Sequence, residues 1–296
     1  MKKEPSVGII IINWNGLKDT LELIDSIKQI SYDNYKIYLV DNDSSDGSQE
    51  EFNKRYKKNK KVELVLNKRN EGLAGGFNTG LKYSLKDRMD YSFIMNNDMV
   101  VKKDFLERLV NELEQNENLA AIGPRIYFYE DKSRIWNTGV RFRLRGFKNI
   151  DQYKLNDESF KNKQTVDALD GAYLIKNEVL KNIGLLEDDF FIMHEMTGWC
   201  LKAKNYGYSV AVLPSSKIWH KVSRSVADEG KLCAYYGGRN WILLLKRYFK
   251  FEKRIFGIIL YILLFPLRKI YSITKGRKIY LSVSIKGILK GLLNKK

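Results

Sequence analysis

The first 125 residues alternate between short apolar runs and segments whose apolar residues recur at helical spacing. Val7–Ile12 is a continuous apolar run and Tyr35–Val40 is a second one, and both are typical of strands buried on two faces. Between them Leu17, Leu21 and Ile24 lie on one side of a helix. A strand, a helix and a strand in this order form a parallel unit, because parallel strands need a crossover connection. The sequence therefore predicts an α/β fold with a Rossmann-like, mostly parallel sheet flanked by helices.

The alternation continues to about residue 125 and then breaks off. It contains two more predicted strands, Val62–Leu66 and Tyr91–Met95, with a Gly-rich turn between them that opens a helix. Residues 126–166 show no sustained period and are predicted to form hairpins and loops. The elements predicted after them are a strand and a short helix in Asp167–Gly184, a helix in Glu195–Tyr206 and a strand in Ser209–Val212. With 44% hydrophobic residues the chain can bury a sizeable core, which excludes wholesale disorder.

The positive charge of the chain is concentrated near its C-terminus. Lys and Arg number 52 and Asp and Glu 35, which gives a formal net charge of +17. Residues 246–296 hold 14 of the cations and one acid, Glu252, which amounts to +13. Apolar segments alternate with these cations, namely Trp241–Leu245, Ile255–Leu267 and the helically spaced Leu281, Ile285, Ile288, Leu289 and Leu292. We therefore expect a basic amphipathic helical extension over 231–296, after a domain over 1–230 whose pattern changes at about residue 125.

An extension of this kind suits the surface of an anionic membrane, where buried apolar area and cations act together. Ile255–Leu267 would form a helix about 20 Å long, against a hydrocarbon core of about 30 Å. We therefore expect peripheral attachment, and we expect it on the cytoplasmic face because the two cysteines form no disulfide framework. The alternative is that these helices pack on the rest of the protein and expose a solvated basic face. A nucleic-acid partner is disfavoured, because the cations alternate with Ile and Leu rather than with aromatic residues.

Polar and aromatic residues follow the first two predicted strands. Asn13, Trp14 and Asn15 come at the end of the first strand, and Asp41 and Asn42 come after the second. Open α/β sheets bind ligands at the carboxyl ends of their strands, so these residues are candidates for binding a nucleotide. The indole would stack on a base, and the carboxylate would accept a base N–H or a ribose hydroxyl. The alternative for Asp41 is turn formation, since it begins the run Asp-Asn-Asp-Ser-Ser-Asp-Gly.

The Gly-rich segment 70–80 is a second candidate for ligand binding. Its glycines do not have the spacing of the dinucleotide fingerprint, which excludes an NAD site. Gly75 would let the backbone approach a ligand closely, and Asn78, in the first turn of the predicted helix, would hydrogen-bond a sugar or a phosphate. The alternative is a plain turn before a helix.

Two amides and a carboxylate end the fourth predicted strand. Asn96, Asn97 and Asp98 supply the oxygen ligands that Mg²⁺ or Mn²⁺ prefers, and such an ion would bridge the diphosphate of a nucleotide. The alternative for Asp98 is capping of a helix. His220, one of two histidines, is a candidate to complete the ligand set or to contact phosphate, although a lone His is usually a packed or solvated residue.

Glu195 is the candidate general base. It follows an apolar stretch and lies near the N-terminus of a predicted helix, where desolvation and the helix dipole act on its pKa in opposite directions. A carboxylate at that point could deprotonate an acceptor hydroxyl. Capping of the helix is the alternative.

Taken in order, these segments resemble the glycosyltransferase family 2 enzymes of the GT-A fold, and especially the rhamnosyltransferase-like branch of bacterial polysaccharide assembly. The resemblance runs from about residue 6 to about 247. The segments that carry it are Ile12–Gly16, Val40–Ser48, Asn70–Gly80, Asn96–Asp98, Asp170–Ala172, Phe190–Tyr208 and His220–Ser225.

The resemblance implies an inverting sugar transfer from a nucleotide-diphosphate sugar, such as dTDP-rhamnose or a UDP-sugar, to a lipid-linked or surface glycan. It implies that Trp14 and Asp41 bind the base, that Asp98 is a metal ligand, and that His220 lies near the metal and the diphosphate. It also implies that the domain has a nucleotide-binding half (about 1–125) and an acceptor half (about 126–230), with an acceptor side that includes Asp170, Gly171, His194 and Trp199.

The sequence departs from the family pattern at two positions. Asn96 stands where the family's Asp-x-Asp begins, which gives the Asn-x-Asp form that many relatives in this branch tolerate. The resemblance therefore still implies a divalent metal ion at Asp98. Met196 stands where relatives carry the usual base, and a thioether cannot take a proton. Either Glu195 substitutes for that base, or the chain is a base-deficient binding subunit that positions a partner or a lipid substrate.

Overall fold

The computed structural model describes residues 4–143, 146–155, 162–222, 226–274 and 278–294. Ser223–Ser225 of the last matching segment lie outside these residues, as do four of the tail cations, Lys275, Arg277, Lys295 and Lys296. The first part of the chain contains β1 (Val7–Asn13), α1 (Leu17–Ile27), β2 (Tyr35–Asp41), α2 (Ser48–Tyr56), β3 (Val62–Leu66), α3 (Gly72–Lys86), β4 (Tyr91–Asn96), β5 (Met99–Val101) and α4 (Phe105–Glu114). The predicted β-α-β alternation is confirmed.

The second part of the chain begins with strands and ends with helices. Its elements are β6 (Leu119–Phe128), β7 (Ile135–Asn137), β8 (Val140–Arg143), β9 (Gly146–Asn149), β10 (Gln164–Val166), β11 (Ala172–Lys176), α5 (Asn177–Ile183), α6 (Glu195–Asn205), β12 (Ser209–His220), α7 (Val226–Tyr248), α8 (Phe251–Thr274) and α9 (Leu281–Leu293). A short 3₁₀ turn over Asp188–Phe190 precedes α6.

The main sheet has the strand order β10-β12-β6-β11-β4-β1-β2-β3. Strands β1 to β4, β6 and β12 run in one direction, and β10 and β11 run in the other, so the predicted mostly parallel sheet is confirmed in mixed form. The register pairs Asn13 with Asp41 and Ile12 with Asn96. The carboxyl ends of β1, β2 and β4 therefore meet at one edge.

Helices cover both faces of the sheet because strand residues alternate between the faces. Ile9 and Ile11 of β1 pack in a core with α1, α2 and α4. Ile10 and Ile12 point to the opposite core, which includes residues of α3, α5 and α6.

Strand β12 extends well beyond its predicted end at Val212. The register against β6 shifts between Leu213 and Lys217, and this irregularity lets the strand pass Pro214 and continue to His220. Its last residue pairs with Met99 of β5, next to Asp98 in sequence. The shift therefore brings His220 to the edge where β4 ends.

Helix α7 is part of the folded core. Trp241–Leu245 is buried and packs with Phe190 and Leu201, so the expectation that this run belongs to a membrane-facing surface is wrong. The alternative, packing on the rest of the protein, holds for this helix. The expected boundary between residues 230 and 231 falls inside α7.

Helix α8 is longer than the thirteen apolar residues suggested. It has 24 residues and, within the described chain, it is the one helix long and apolar enough to cross a membrane by length and composition. At 1.5 Å per residue it is about 36 Å long, which exceeds the hydrocarbon core of about 30 Å. The length argument against a span is therefore wrong, because cations inside the helix do not end it.

Candidate active site

A cleft of about 250 Å³ opens at the carboxyl ends of β1, β2 and β4. The loop before α6, the end of β12 and one residue of α7, Leu232, complete its walls. The predicted site residues that line it are Trp14, Asn42, Asn97, Asp98 and His220. Ligand binding at this edge agrees with the general behaviour of open α/β sheets.

Asn13 and Asp41 form a buried network beneath the cleft. The Asn13 amide donates to the Asp41 carboxylate at 2.8 Å and to the Ser44 hydroxyl at 3.0 Å. Asp41 also accepts from the Ser44 N–H at 2.9 Å and from the Gln49 amide at 2.8 Å. Both side chains are fully buried and stabilise the turn after β2. Their contacts are with other protein residues rather than with the cleft, where the predicted base would bind.

Trp14 is the aromatic residue that the network presents to the cleft. Its side chain is 38% exposed, as a stacking surface for a base requires. Asn15 has a left-handed backbone (φ +52°) and accepts a hydrogen bond from the Ser45 N–H at 2.7 Å. It shapes the turn and does not line the cleft, which corrects its predicted binding role.

Asn42 and Asn97 line the cleft and also brace its walls. The Asn42 amide donates to the Gly72 carbonyl at 2.9 Å, and its oxygen accepts from Asn67 at 2.8 Å. The Asn97 amide donates to the Thr20 hydroxyl at 2.9 Å. Both residues therefore lie in the cleft and hydrogen-bond to its walls, and their contact with a nucleotide sugar stays a prediction.

The Gly-rich turn contributes Gly72 rather than Gly75. Gly72 has φ +69°, and a Cβ there would lie 2.4 Å from the Phe191 carbonyl oxygen, so glycine is required for close packing on the loop before α6. A Cβ at Gly75 would meet Glu71 of the same turn, and Gly75 does not line the cleft. The predicted ligand approach at Gly75 is therefore wrong.

Asn78 is a structural residue. Its amide donates to the Leu186 carbonyl at 2.9 Å and to the Asp188 carboxylate, and its oxygen accepts from the Leu186 N–H at 3.1 Å. The side chain is buried and ties α3 to the segment before α6. The predicted contact with a sugar or phosphate is wrong, because these partners use both ends of the amide.

Asp98 and His220 form the polar centre of the cleft. His220 Nε2 lies 3.1 Å from the Asp98 carboxylate, and each residue is only 6% exposed. Trp136 packs edge-on against the imidazole with ring centroids 4.4 Å apart, which fixes its plane. Asp98 lies between β4 and β5 and caps no helix, so the capping alternative is wrong.

These residues fit a divalent cation. The Asn96 side-chain oxygen lines the same cleft and is buried without a hydrogen-bond partner, as is His220 Nδ1. A carboxylate, an amide oxygen and an imidazole are ligands that Mg²⁺ or Mn²⁺ accepts. Among the described residues no group of three His, Cys, Asp or Glu could hold a metal alone, so the remaining ligands would come from phosphate oxygens or water.

Glu195 is the first residue of α6 and is buried, with 4% exposure. Burial raises the pKa of its carboxyl to about 8, and the negative charge of Asp170 adds to the rise. Burial also raises the pKa of Asp170, against the opposing effects of the Gly171 N–H and of His220. One carboxylate oxygen of Glu195 has no hydrogen-bond partner. The charge of Asp170 thus acts on Glu195, and His220 of the cleft acts on Asp170.

The other residues expected on the acceptor side divide between core and loop. Trp199 is fully buried, donates to the Gly184 carbonyl at 3.0 Å and stacks on Tyr173, so its predicted acceptor role is wrong. Met196 is also buried in the core. Gly171 has φ +81° and lies against the Trp136 ring.

The loop before α6 is strained. Phe191, Met193 and His194 have φ values of +55°, +70° and +71°, which side chains with a Cβ rarely adopt. Burial lowers the pKa of His194 to about 4, so the imidazole is neutral at pH 7. Strained backbone of this kind tends to occur at functional sites.

Several residues of the cleft were not predicted as ligand-binding residues. Asn96 is not one of them, because its place at the end of β4 already predicts an oxygen ligand. Phe191, Ile192, Leu232 and Trp136 carry no local signal, because tertiary packing alone brings them to the cleft or to His220.

Comparisons with known proteins agree with this architecture. The family described as "Glycosyl transferase family 2" matches residues 8–184. The chain is 26% identical over 255 residues to dTDP-rhamnosyl transferase RfbF of Shigella flexneri, covering 82% of this chain and 80% of that protein. It is 24% identical over 209 residues to the low-salt glycan biosynthesis hexosyltransferase Agl10 of Haloferax volcanii, covering 69% and 63% of the two chains.

Two solved structures share the fold. The structure of GalNAc-T7 with UDP, GalNAc and Mn²⁺ superposes with a TM-score of 0.63 at 16% identity, over 93% of this chain and 58% of that one. The mannosyltransferase PcManGT of Pyrobaculum calidifontis, in complex with GDP-Man and Mn²⁺, superposes with a TM-score of 0.62 at 14% identity, over 100% and 89%. The expected GT-A fold is confirmed.

Proposed function

Because the chain belongs to glycosyl transferase family 2, we propose that it is an inverting transferase that moves a sugar from a nucleotide-diphosphate sugar to a hydroxyl of a glycan or lipid-linked glycan. The observation that carries this proposal is the pairing of Asp98 with His220 in a cleft that also presents Trp14. A stacking surface and a cation site in one cleft suit a donor with a base at one end and a diphosphate further in. The relative from Shigella flexneri makes dTDP-rhamnose the first donor to test, followed by UDP-sugars.

The donor-binding roles follow from the position of each side chain. Trp14 stacks on the base, and Asn42 and Asn97 brace the walls beside it. Asp98, His220 and the amide oxygen of Asn96 would hold Mg²⁺ or Mn²⁺ beside the diphosphate. Such an ion neutralises the charge that develops on the diphosphate as it leaves.

Glu195 is the proposed general base. In a single displacement the acceptor oxygen attacks the anomeric carbon while the bond to the phosphate oxygen breaks, so the sugar inverts and the acceptor proton must go to a base. The carboxyl of Glu195 has a free oxygen, and its pKa of about 8 makes its ionised form a strong proton acceptor. Glu195 does not line the cleft directly, so access requires the strained loop Phe191–His194 to move.

Donor binding tests the assignment of the cation site. We expect a panel of nucleotide sugars, with Mn²⁺ or Mg²⁺, to raise the melting temperature of the parent, and a chelator to abolish the effect. Asp98→Ala should lose the part of this rise in melting temperature that depends on the metal. Asp25→Ala, at an exposed position of α1, is the matched control and should behave like the parent. An Asp98→Ala variant with parent affinity and unchanged metal dependence would show that the assignment is wrong.

A second candidate function is a base-deficient binding subunit. Two observations favour it: Met196 stands in the core at the position of the usual base, and Glu195 is only 4% exposed. Such a protein would bind a nucleotide sugar without transferring it. Turnover separates the two functions: a parent that binds a donor but transfers from none in the panel is a binding subunit, and Met196→Asp is then the substitution to test for restored activity.

We also propose that the protein works at the cytoplasmic face of the membrane as a peripheral protein. The cationic segment 246–296 and the exposed apolar residues of α8 support this location. A lipid-linked acceptor would be presented at the same surface.

A further inference from the structure

The outer face of α8 is apolar from Ile255 to Ile273. From Ile255 to Thr274 none of its exposed residues is charged, and Leu263 at the centre is 67% exposed. The polar residues Arg268, Lys269 and Ser272 are only partly exposed, and Lys269 donates to the Ser284 hydroxyl of α9 at 2.9 Å. Helix α8 thus turns its apolar side outward, the reverse of a surface helix in a water-soluble protein.

The first half of α8 lies against the second half of α7. Near its start, a Cβ at Gly257 would lie 2.9 Å from Leu245, close to the end of α7. Further on, Tyr261 packs against Trp241 with ring centroids 5.9 Å apart. Later residues of α8 therefore meet earlier residues of α7, so the two helices are antiparallel.

Helix α9 then runs back beside α7 in the same direction as α7. Tyr280 lies against Gly230, and a Cβ at Gly291 would lie 2.8 Å from the Arg239 carbonyl oxygen. At the far end, Lys246 donates to the carbonyl of Leu292 at 3.1 Å. Lys269, in the last part of α8, bonds Ser284 in the first turn of α9, so the C-terminal part of α8 lies on the side where α7 starts.

Helix α7 is anchored to the α/β domain along its second half. The Asn240 amide lies within 2.8–2.9 Å of the carbonyl oxygens of Phe190, Ile192 and Met193. Arg247 pairs with Asp189 at 2.7 Å. A helix held in this way cannot cross a bilayer, and α8 and α9 are packed along its sides.

We propose that α8 lies in the plane of one leaflet of an anionic bilayer, with its outer face among the acyl chains and both of its ends on the side of the α/β domain. Its length of 24 residues would allow a span, but a span would carry the start of α9 to the opposite side, away from its contacts with α7. This inference rests on the membrane location proposed above and not on the sugar transfer.

Charge favours lipid over a second copy as the partner of this face. Exposed cations lie at both ends of α8 and on the neighbouring helix: Lys250 and Lys253 at its start, Lys278 after its end, and Lys286 and Lys290 on α9. A second copy would bring cations against cations, whereas anionic headgroups neutralise them. Each cation near the surface contributes about 1 kcal/mol, or about fivefold in affinity.

Thiol accessibility tests the arrangement in the full chain. In a Cys233→Ser background, whose remaining cysteine, Cys200, is buried, single cysteines would be placed as Lys250→Cys, Leu263→Cys and Lys278→Cys. Lys60→Cys, exposed in the α/β domain, is the control. A membrane-impermeant maleimide would be added outside phosphatidylglycerol-containing liposomes and, separately, in their absence.

We expect the two end positions and the control to react at similar rates with and without liposomes, and Leu263→Cys to lose reactivity only with liposomes. Protection of one end until detergent is added would show that α8 spans and would overturn the proposal. Undiminished reactivity of Leu263→Cys on liposomes would overturn the membrane location itself. Protection of Leu263→Cys without lipid, rising with protein concentration, would identify a second copy as the partner.

Flotation gives an independent measure that leaves the α/β domain intact. Leu263→Asp combined with Leu267→Asp should lower the liposome-bound fraction about tenfold, because carboxylates enter the apolar region poorly. Leu66→Asp, at an exposed leucine of β3, is the matched control. Equal flotation of both variants would overturn the assignment of the α8 outer face.

Discussion

The substitution Glu195→Gln tests the proposed base through two readouts with opposite signs. An unfolded glutamate has an ordinary pKa of 4.5, whereas burial raises the pKa of Glu195 in the folded chain to about 8. Between these pH values the folded chain binds more protons than the unfolded chain, so stability falls as pH rises. Relative to a side chain that stays neutral, Glu195 lowers the free energy of unfolding by roughly 3 kcal/mol at pH 7 and by about 5 kcal/mol at pH 9. Glutamine has the same shape and no charge to bury, so the variant should regain that stability.

The turnover of Glu195→Gln should fall, whereas its stability should rise. About one tenth of a carboxyl with pKa 8 is ionised at pH 7 and about nine tenths at pH 9, so parent turnover should rise about tenfold over this range. Removal of a general base costs about 10² to 10⁴ in rate, so Glu195→Gln should lose turnover by that factor and lose the pH dependence with it. Nucleotide affinity should change little.

The assays are release of the nucleoside diphosphate from a donor that the parent uses, and unfolding by denaturant at pH 5, 7 and 9. Glu178→Gln, at an exposed residue of α5, is the matched control and should change neither readout. If Glu195→Gln is no more stable than the parent at pH 7, the carboxyl is not held protonated and the electrostatic reasoning fails. If it keeps parent turnover, Glu195 is not the base, and His194 or an acid of Glu187–Asp189 becomes the next candidate.

Three further substitutions test other parts of the structure. Trp14→Ala should weaken nucleotide binding by about 1–3 kcal/mol in a titration, and Trp14→Phe should restore most of it, because stacking on a base needs only an aromatic face. Asn78→Ala should lower the free energy of unfolding by about 1–3 kcal/mol without changing donor affinity, because its amide bonds Leu186 and Asp188; weaker donor binding at unchanged stability would contradict this. Gly287→Ala should loosen α9 from α7, because its Cβ would lie 2.1 Å from the Tyr235 carbonyl oxygen; hydrogen exchange of α9 should rise relative to Ser282→Ala, and equal exchange would refute the close packing.

The α/β alternation and the edge of the sheet that carries the site can be predicted from the amino-acid sequence alone. Both depend on local patterns: apolar runs of strand length, helical spacing between them, and polar residues where each strand ends. Parallel strands carry their ends to one edge, so Trp14 and Asp98 were assigned correctly to the cleft before any contact was known.

Which of the polar residues face the cleft depends on contacts between elements that are distant in the sequence. Asn13, Asp41 and Asn78 are residue types that often bind ligands. Packing of neighbouring elements buries them, and their side-chain polar groups hydrogen-bond to other residues of the protein. The same holds for the tail, where Trp241–Leu245 and the exposed residues of α8 are equally apolar in sequence. Trp241–Leu245 is buried in the core, whereas those residues of α8 are exposed. The hydrophobicity of a side chain favours its removal from water but does not specify which surface covers it.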